Sequence, residues 1–188
     1  RPSFIRAGNP QKAEELYEKG LGIREQLLGE EHPDTATSYN NVASMYSKRG
    51  EYKKAEELYK KALRIRELVL GKNHPDTAMS YNNLAGVYEK EAKYKEAEKL
   101  YKRGLRINEW LLGEEHPDTA KSYNNLAGLY ESQGEYKKAE ELYKKGLEIR
   151  QRVLGEEHLD TAVSYNNMAS IYNDQEKYEK AEELYKKG

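Results

Sequence analysis

The chain has 188 residues, and its 32 lysines and arginines nearly balance 33 aspartates and glutamates, which leaves a formal net charge of −1 at pH 7. This balance provides no basic field for nucleic acid or for an anionic membrane surface, and it lacks the high net charge typical of disordered chains. Because the sequence has no cysteine, a disulfide framework and thiolate catalysis are excluded.

The mean hydropathy is −1.09, and a single phenylalanine stands beside 17 tyrosines. Tyrosine has a large apolar body and a polar tip, so this composition predicts a thin core whose hydroxyls lie at interface edges with hydrogen-bond partners or water. No apolar run approaches the ~20 residues of a membrane span, and the chain does not open with a secretory signal pattern. We therefore expect a cytoplasmic protein without a membrane partner.

The chain is built from an internal repeat. The string HPDTA occurs at 32–36, 74–78 and 116–120, and HLDTA follows at 158–162, so the period is 42 residues throughout. The predicted array fills 1–188 as a single domain. It consists of a partial repeat 1–33, the full repeats 34–75, 76–117 and 118–159, and a partial repeat 160–188.

The elements follow in chain order from this register. Arg1–Gly8 matches the end of a first helix, which we call helix A, with Phe4 at a position that is tyrosine in later copies. In the first full repeat, helix A is predicted from Asp34 to about Lys48, because Tyr39, Val42, Ala43 and Tyr46 share one helical stripe. A second and longer helix, helix B, is predicted from Tyr52 to Leu70.

Glycine and proline mark the connectors between repeats, except that Leu159 replaces the proline in the last one. Gly71 is predicted to close helix B, and Pro75 to open the next helix A. The residue that caps this helix A is left open between His74 and Asp76. At the turn from helix A to helix B, glycine in two copies is replaced by Ala92 and Glu176 in the others, so we expect a turn that does not require a left-handed glycine.

A helix pair that cannot bury its apolar face alone, repeated at constant length, predicts an all-α fold of the α-solenoid class. The residues resemble the tetratricopeptide repeat, with an aromatic at Tyr39, Val42-Ala43, and then Tyr46, Ala55, Tyr59 and Ala62 at that motif's spacing. The 42-residue form, with SYNNLA in helix A and a GEEHPDTA-type connector, is similar to the repeats of kinesin light chain. This resemblance implies a right-handed superhelix of antiparallel helix pairs that binds a protein or peptide in a concave groove.

Each helix A carries an asparagine pair, whose second member lies opposite the tyrosine stripe together with the residues four before, three after and seven after it. The resemblance implies that this face lines the groove. The predicted groove positions, including the first asparagine of each pair, are Thr37, Asn40, Asn41, Ser44, Lys48, Met79, Asn82, Asn83, Gly86, Lys90, Lys121, Asn124, Asn125, Gly128, Ser132, Val163, Asn166, Asn167, Ser170 and Asp174.

Two interpretations of the asparagines stay open. They can hold the backbone of an extended peptide, or they can bond to one another and to adjacent helices and so set the repeat geometry. We favour geometry for the first asparagine of each pair and ligand contact for the second. Small residues three positions after the second asparagine are expected to leave room in front of the helix.

No catalytic, cofactor or metal site is predicted. The connector histidines and aspartates recur along the array and so form a ladder that does not converge on one point, and no phosphate loop, GxSxG elbow or HExxH is present. Trp110, the single tryptophan, is a candidate surface anchor for a partner; the alternative is a partly covered surface hydrophobe.

The functional hypothesis is a non-catalytic scaffold that binds a protein or peptide. The alternative is a structural array that associates with itself, because solenoid ends without polar caps favour end-to-end stacking.

Overall fold

A computed structural model describes residues 10–188, and the part of the chain that it describes is helical throughout, with short connections. The predicted all-α class is confirmed. The even-numbered helices below are copies of helix A, and the odd-numbered ones are copies of helix B. The helices are α1 Pro10–Leu28, α2 Pro33–Lys48, α3 Tyr52–Val69, α4 Pro75–Lys90, α5 Tyr94–Leu112, α6 Pro117–Ser132, α7 Tyr136–Leu154, α8 Leu159–Asp174 and α9 Tyr178–Tyr185. The predicted end of a helix A at Arg1–Gly8 lies outside the described residues.

The chain forms two compact units, the first reaching to Asn83 and the second comprising Leu84–Gly188. In the first unit α2 packs against α1 and α3. In the second unit α6 packs against α5 and α7, and α8 packs against α7 and α9. The predicted pairing of consecutive helices is therefore present within both units.

The start of each helix A is fixed by the connector. In all four copies the histidine Nδ1 accepts a hydrogen bond from the backbone N–H two residues later, at 3.1 Å, as between His74 and Asp76. The capping residue that the sequence left open is thus the histidine. The threonine of the same connector is fully buried, and its hydroxyl donates to a glycine carbonyl six residues earlier, as Thr119 does to Gly113 at 2.8 Å.

The core is shallow and is filled by tyrosine and alanine. Tyr39 is 1% exposed beside the fully buried Ala36 and Ala62 in the first unit. In the second unit Tyr123, Leu129 and other apolar side chains form one continuous cluster across α5 to α8. Alanine at the helix crossings lets the backbones approach closely enough for tyrosine rings to fill the remaining space.

The tyrosine hydroxyls reach carboxylates at the rims of these interfaces, as predicted. The Oη of Tyr39 donates to Glu25 at 2.6 Å, and the Oη of Tyr123 donates to Glu109 at 2.6 Å. Further bonds join Tyr46 to Glu18, Tyr101 to Glu89, Tyr130 to Glu98 and Tyr143 to Glu131, whereas Tyr165 accepts from Gln151. These hydrogen bonds confirm the prediction for these residues and explain how so polar a sequence forms a packed interior.

The turn between helix A and helix B is left-handed in all four copies. Ala92 and Glu176 adopt positive φ angles of 56° and 60°, as Gly50 and Gly134 do at 79° and 73°. Glycine is therefore not required at this turn, as expected, but the left-handed conformation is kept. All four copies use it because the N–H groups that follow return to helix A carbonyls, and two copies hold a non-glycine residue there at a conformational cost.

Successive repeats are joined by buried polar side chains near the end of helix B. Arg150 is 6% exposed, and its Nη1 donates to the carbonyl of Asp160 at 2.7 Å and to the Oγ of Ser164 at 2.8 Å. Arg66 makes the equivalent bonds from α3 to α4, and Asn108 makes them from α5 to α6. Burial lowers the pKa of both arginines. These three residues are called the junction residues below.

Candidate functional site

The face of helix A opposite the tyrosines is open to solvent. Sixteen predicted groove residues remain when the first asparagine of each pair is set aside. None of these sixteen residues is buried. The exposed members are Thr37, Asn41, Lys48, Met79, Lys90, Lys121, Ser132, Val163 and Asp174, and the partly exposed ones are Ser44, Asn83, Gly86, Asn125, Gly128, Asn167 and Ser170. We call this set the groove face. Four turns of each helix A therefore present a stripe of polar and small side chains.

The first asparagines lie toward the side of helix A and differ in burial. Asn124 is only 9% exposed, Asn40 and Asn82 are partly buried, and Asn166 is exposed. The Nδ2 of Asn124 donates to the Oγ of Ser164 on α8 at 3.3 Å. Its Oδ1 is buried without a hydrogen-bond partner, as is the Oδ1 of Asn82.

In the first unit, first and second asparagines pair with each other. The Nδ2 of Asn83 on α4 donates to the Oδ1 of Asn40 on α2 at 2.7 Å. By contrast, Asn125 and Asn167 make no hydrogen bond through their side chains within the described residues. The Asn40–Asn83 pair is therefore closed on itself, whereas the side-chain amides of Asn125 and Asn167 are open.

The small residues of the groove face are bounded by tyrosine hydroxyls from helix B. A Cβ built on Gly86 would lie 3.4 Å from the Oη of Tyr101, and a Cβ on Gly128 would lie 3.4 Å from the Oη of Tyr143. A side chain larger than glycine at these two positions would therefore come close to the tyrosine hydroxyls of helix B.

Two glutamates beside the groove face were missed by the sequence reasoning. Glu131 accepts from the Oη of Tyr143 at 2.8 Å and from the Oγ of Ser170 at 2.9 Å, so it joins α6, α7 and α8. Glu89 accepts from Tyr101 at 3.1 Å and from Ser132 at 3.2 Å. The same position is Ser47 in the first full repeat and Asn173 in the last, partial one, so the repeat pattern carried no signal for it.

The cavity that reaches the groove face in the first unit lies between α1 and α2. It has a volume of about 420 Å³ and is lined by Leu16, Tyr17, Gly20, Ile23, Arg24, Ser38 and Asn41. Its apolar lining comes from α1, and Asn41 and Ser38 supply polar groups from α2.

Other candidate features lie away from this face. Trp110, in the last turn of α5, is 72% exposed. Within the described residues no three histidine or carboxylate side chains converge as a metal site, and each connector histidine uses its Nδ1 as a helix cap. None of the described helices combines the length and apolar character that crossing a bilayer requires.

Comparison with known proteins identifies the family. The sequence profile of the tetratricopeptide repeat matches residues 3–68, 43–110, 76–152 and 118–188. No curated protein sequence matches the chain significantly.

Solved structures with the same fold include BtubC (BKLC) from P. vanneervenii, with 30% identity and a TM-score of 0.78 over 95% of this chain and 71% of that one. A putative kinesin light chain from Podosopora anserina with nearly identical TPR-like repeats has 29% identity and a TM-score of 0.76 over 96% of this chain and 85% of that one. The apo form of RapI, at 18% identity and a TM-score of 0.77 over 97% of this chain and 64% of that one, shares the fold.

Tetratricopeptide repeats generally mediate protein–protein interaction and are generally non-catalytic. The profile covers most of the chain, the period is 42 residues, and kinesin-light-chain-like repeats superimpose on it. The chain belongs to the tetratricopeptide repeat family and is of the 42-residue, kinesin-light-chain-like type.

Proposed function

We propose that the chain is a non-catalytic scaffold that binds an extended segment of a partner protein along the groove face. The observation that carries this proposal is the pair of open amides in the second unit, Asn125 and Asn167. They occupy equivalent positions in successive helices A, both are partly exposed, and neither is hydrogen-bonded through its side chain within the described residues. An amide with a free donor and a free acceptor can hold a peptide unit by two hydrogen bonds.

The spacing also suits an extended chain. The helices that carry the two amides, α6 and α8, are linked by the side-chain hydrogen bonds from Asn124 to Ser164 and from Ser170 to Glu131. Helices linked in this way lie on the order of 10 Å apart, which is roughly three residues of extended backbone at ~3.3 Å per residue. One amide per repeat would therefore hold every third peptide unit. The exposed residues that differ between copies would then select side chains, namely Lys121 and Val163 at one edge and Ser132 and Asp174 at the other.

The test is selection of peptides from a random-sequence display library, followed by calorimetric titration of each selected peptide. Asn125→Ala and Asn167→Ala are each expected to weaken binding about fivefold, the effect of losing one net hydrogen bond. Asn73→Ala, in an exposed connector, is the matched control and should leave the affinity unchanged. Selected peptides whose affinity is the same for all three variants would place the binding site elsewhere.

A second candidate function is self-association, and the exposed apolar face of α1 favours it. Leu16 is 63% exposed, Tyr17 is 47% and Ile23 is 46%. Their equivalents one period later lie in α3, where Tyr59 is 5% and Ile65 is 6% exposed. A second copy could cover this face of α1 as α2 covers that of α3.

Sedimentation velocity over a range of concentrations tests this second candidate. Species that grow with concentration in the unmodified chain and disappear in Ile23→Glu would support it. Thr37→Glu, on an exposed position of α2, is the control that should not change association. A monomer at all concentrations would eliminate self-association while leaving the scaffold proposal intact.

A further inference from the structure

The asparagine states described above correlate with one residue in the middle of helix B. In α7 this residue is Gly146. A Cβ built on it would lie 2.2 Å from the Oδ1 of Asn124 and 3.1 Å from the carbonyl oxygen of Ala120. Only glycine therefore allows Asn124 to keep the rotamer in which its Oδ1 points at helix B.

In the first full repeat the equivalent residue is Ala62, which is fully buried. By the 42-residue register, Ala62 stands toward Asn40 as Gly146 stands toward Asn124. A methyl group there fills the space into which Oδ1 would point. The Oδ1 of Asn40 is turned instead to the Nδ2 of Asn83, 2.7 Å away on the next helix A.

The glycine arrangement leaves the second asparagine of the next repeat unengaged. With its Oδ1 directed at Gly146, Asn124 uses its Nδ2 on Ser164, and Asn167 has no partner within the described residues.

We propose that the residue at this helix B position determines whether the following second asparagine is locked or open. With alanine, the first asparagine turns toward the next helix A and accepts a hydrogen bond from the second asparagine there. Glycine draws the first asparagine toward helix B and frees the second for a ligand. Ala62 and Gly146 are thus positioning residues that act through Asn40 and Asn124. The use of the open amide by a peptide rests on the proposed function, whereas the amide arrangement itself does not.

Exchange of asparagine side-chain NH2 protons with water, measured by NMR without any peptide, tests the arrangement. In the unmodified protein Asn83 should exchange about fivefold more slowly than Asn167, the factor expected for one net hydrogen bond. Gly146→Ala should slow Asn167 about fivefold, and Ala62→Gly should accelerate Asn83 by a similar factor. The two substitutions push in opposite directions, so general destabilisation cannot mimic both results.

Gly20→Ala is the matched control, because a Cβ on Gly20 would meet nothing within 4 Å. It should leave both exchange rates unchanged. Exchange at Asn167 that is unaffected by Gly146→Ala, together with exchange at Asn83 that is unaffected by Ala62→Gly, would overturn the proposal.

Titration with peptides selected from the random-sequence library then tests whether the open amide is used. Gly146→Ala should weaken peptide binding about fivefold, as Asn167→Ala does. One contradicting outcome is that exchange shows Asn167 to be hydrogen-bonded in Gly146→Ala while the peptide binds this variant as tightly as the unmodified protein. That combination would overturn the proposal that the peptide uses the Asn167 amide. If no peptide binds the unmodified protein, the proposed function fails, and the exchange rates still decide whether Gly146 controls the amide.

Discussion

The junction residue Arg150 offers the sharpest test of how the repeats are held together. Its guanidinium is buried, donates two hydrogen bonds to the start of α8, and leaves its Nε without a partner. Replacing it with leucine removes both bonds but also removes a buried charge. Replacing it with asparagine reproduces the residue that the array itself uses at Asn108, which bonds the equivalent serine at 2.9 Å and the equivalent carbonyl at 3.4 Å.

The expected magnitude follows from these contacts. Two hydrogen bonds from a charged donor contribute about 3–6 kcal/mol, and relief of the buried charge and of the unpartnered Nε returns about 1–3 kcal/mol. The difference spans about 0–5 kcal/mol, and from its centre we expect Arg150→Leu to lower the free energy of unfolding of the second unit by about 2–3 kcal/mol. Arg150→Asn keeps the bond to Ser164 and gives up the buried charge, so its effect should stay within about 1 kcal/mol.

Urea unfolding followed by circular dichroism measures both variants. With a denaturant dependence of about 1–3 kcal/mol per molar urea, Arg150→Leu should move the midpoint down by roughly 1 M and Arg150→Asn by much less. Native-state hydrogen exchange should place the loss of protection in α7 and α8, since repeat arrays open locally. A midpoint for Arg150→Leu equal to that of the unmodified protein, or equal losses for the two variants, would refute the assignment of the junction to these hydrogen bonds.

Three further outcomes are expected. The hydrogen bond to Glu18, together with burial, raises the pKa of Tyr46 to about 12; the folded state thus keeps a proton that the unfolded chain releases near pH 10, so stability is complete below pH 10 and is lost as the pH rises toward 12. Absorbance at 295 nm alongside circular dichroism checks this, and nearly complete ionisation of all the tyrosines by about pH 11 with the helices intact would contradict it. Ala92→Gly should raise the free energy of unfolding by about 1 kcal/mol because it relieves a positive φ, and Gly50→Ala should lower it by a similar amount in thermal unfolding; a lower midpoint for Ala92→Gly would show that the turn is unstrained. Trp110 should fluoresce as a water-exposed indole that acrylamide quenches freely, and an emission that no bound peptide or partner changes would rule it out as an anchor.

The sequence predicted the helices closely because their signals are local. Helix A was expected from Asp34 to about Lys48 and is found at Pro33–Lys48, and helix B was expected from Tyr52 to Leu70 and ends at Val69. Proline, glycine and the apolar stripes that define these limits all lie within a few residues of the helix ends. The partners of the tyrosines were also predictable in kind, since a buried hydroxyl requires one.

What the sequence did not reveal depends on contacts between helices. The polarity of Arg150 argues for exposure, yet the residue is 6% exposed and its guanidinium donates to the carbonyl of Asp160 in the first turn of α8. The positive φ of Ala92 could not be predicted from its residue type, because alanine rarely adopts this conformation. The state of Asn124 depends on a residue 22 positions later on another helix, and neither position alone carries that information.

The contacts that recur in every repeat have a different role from the positions that vary between repeats. The histidine cap and the hydrogen bond from the connector threonine to a glycine carbonyl are present in all four connectors. They therefore set a common geometry and cannot distinguish one stretch of a partner from another. Exposed groove positions such as Lys121 and Val163 differ between copies but make no contact that the fold requires. A third kind of position is the one in helix B that holds Ala62 in one repeat and Gly146 in another. It is buried and yet changes the groove face. Substitutions there should alter partner binding without altering the helices, and this makes the helix B position the place where a nearly uniform array acquires non-uniform binding.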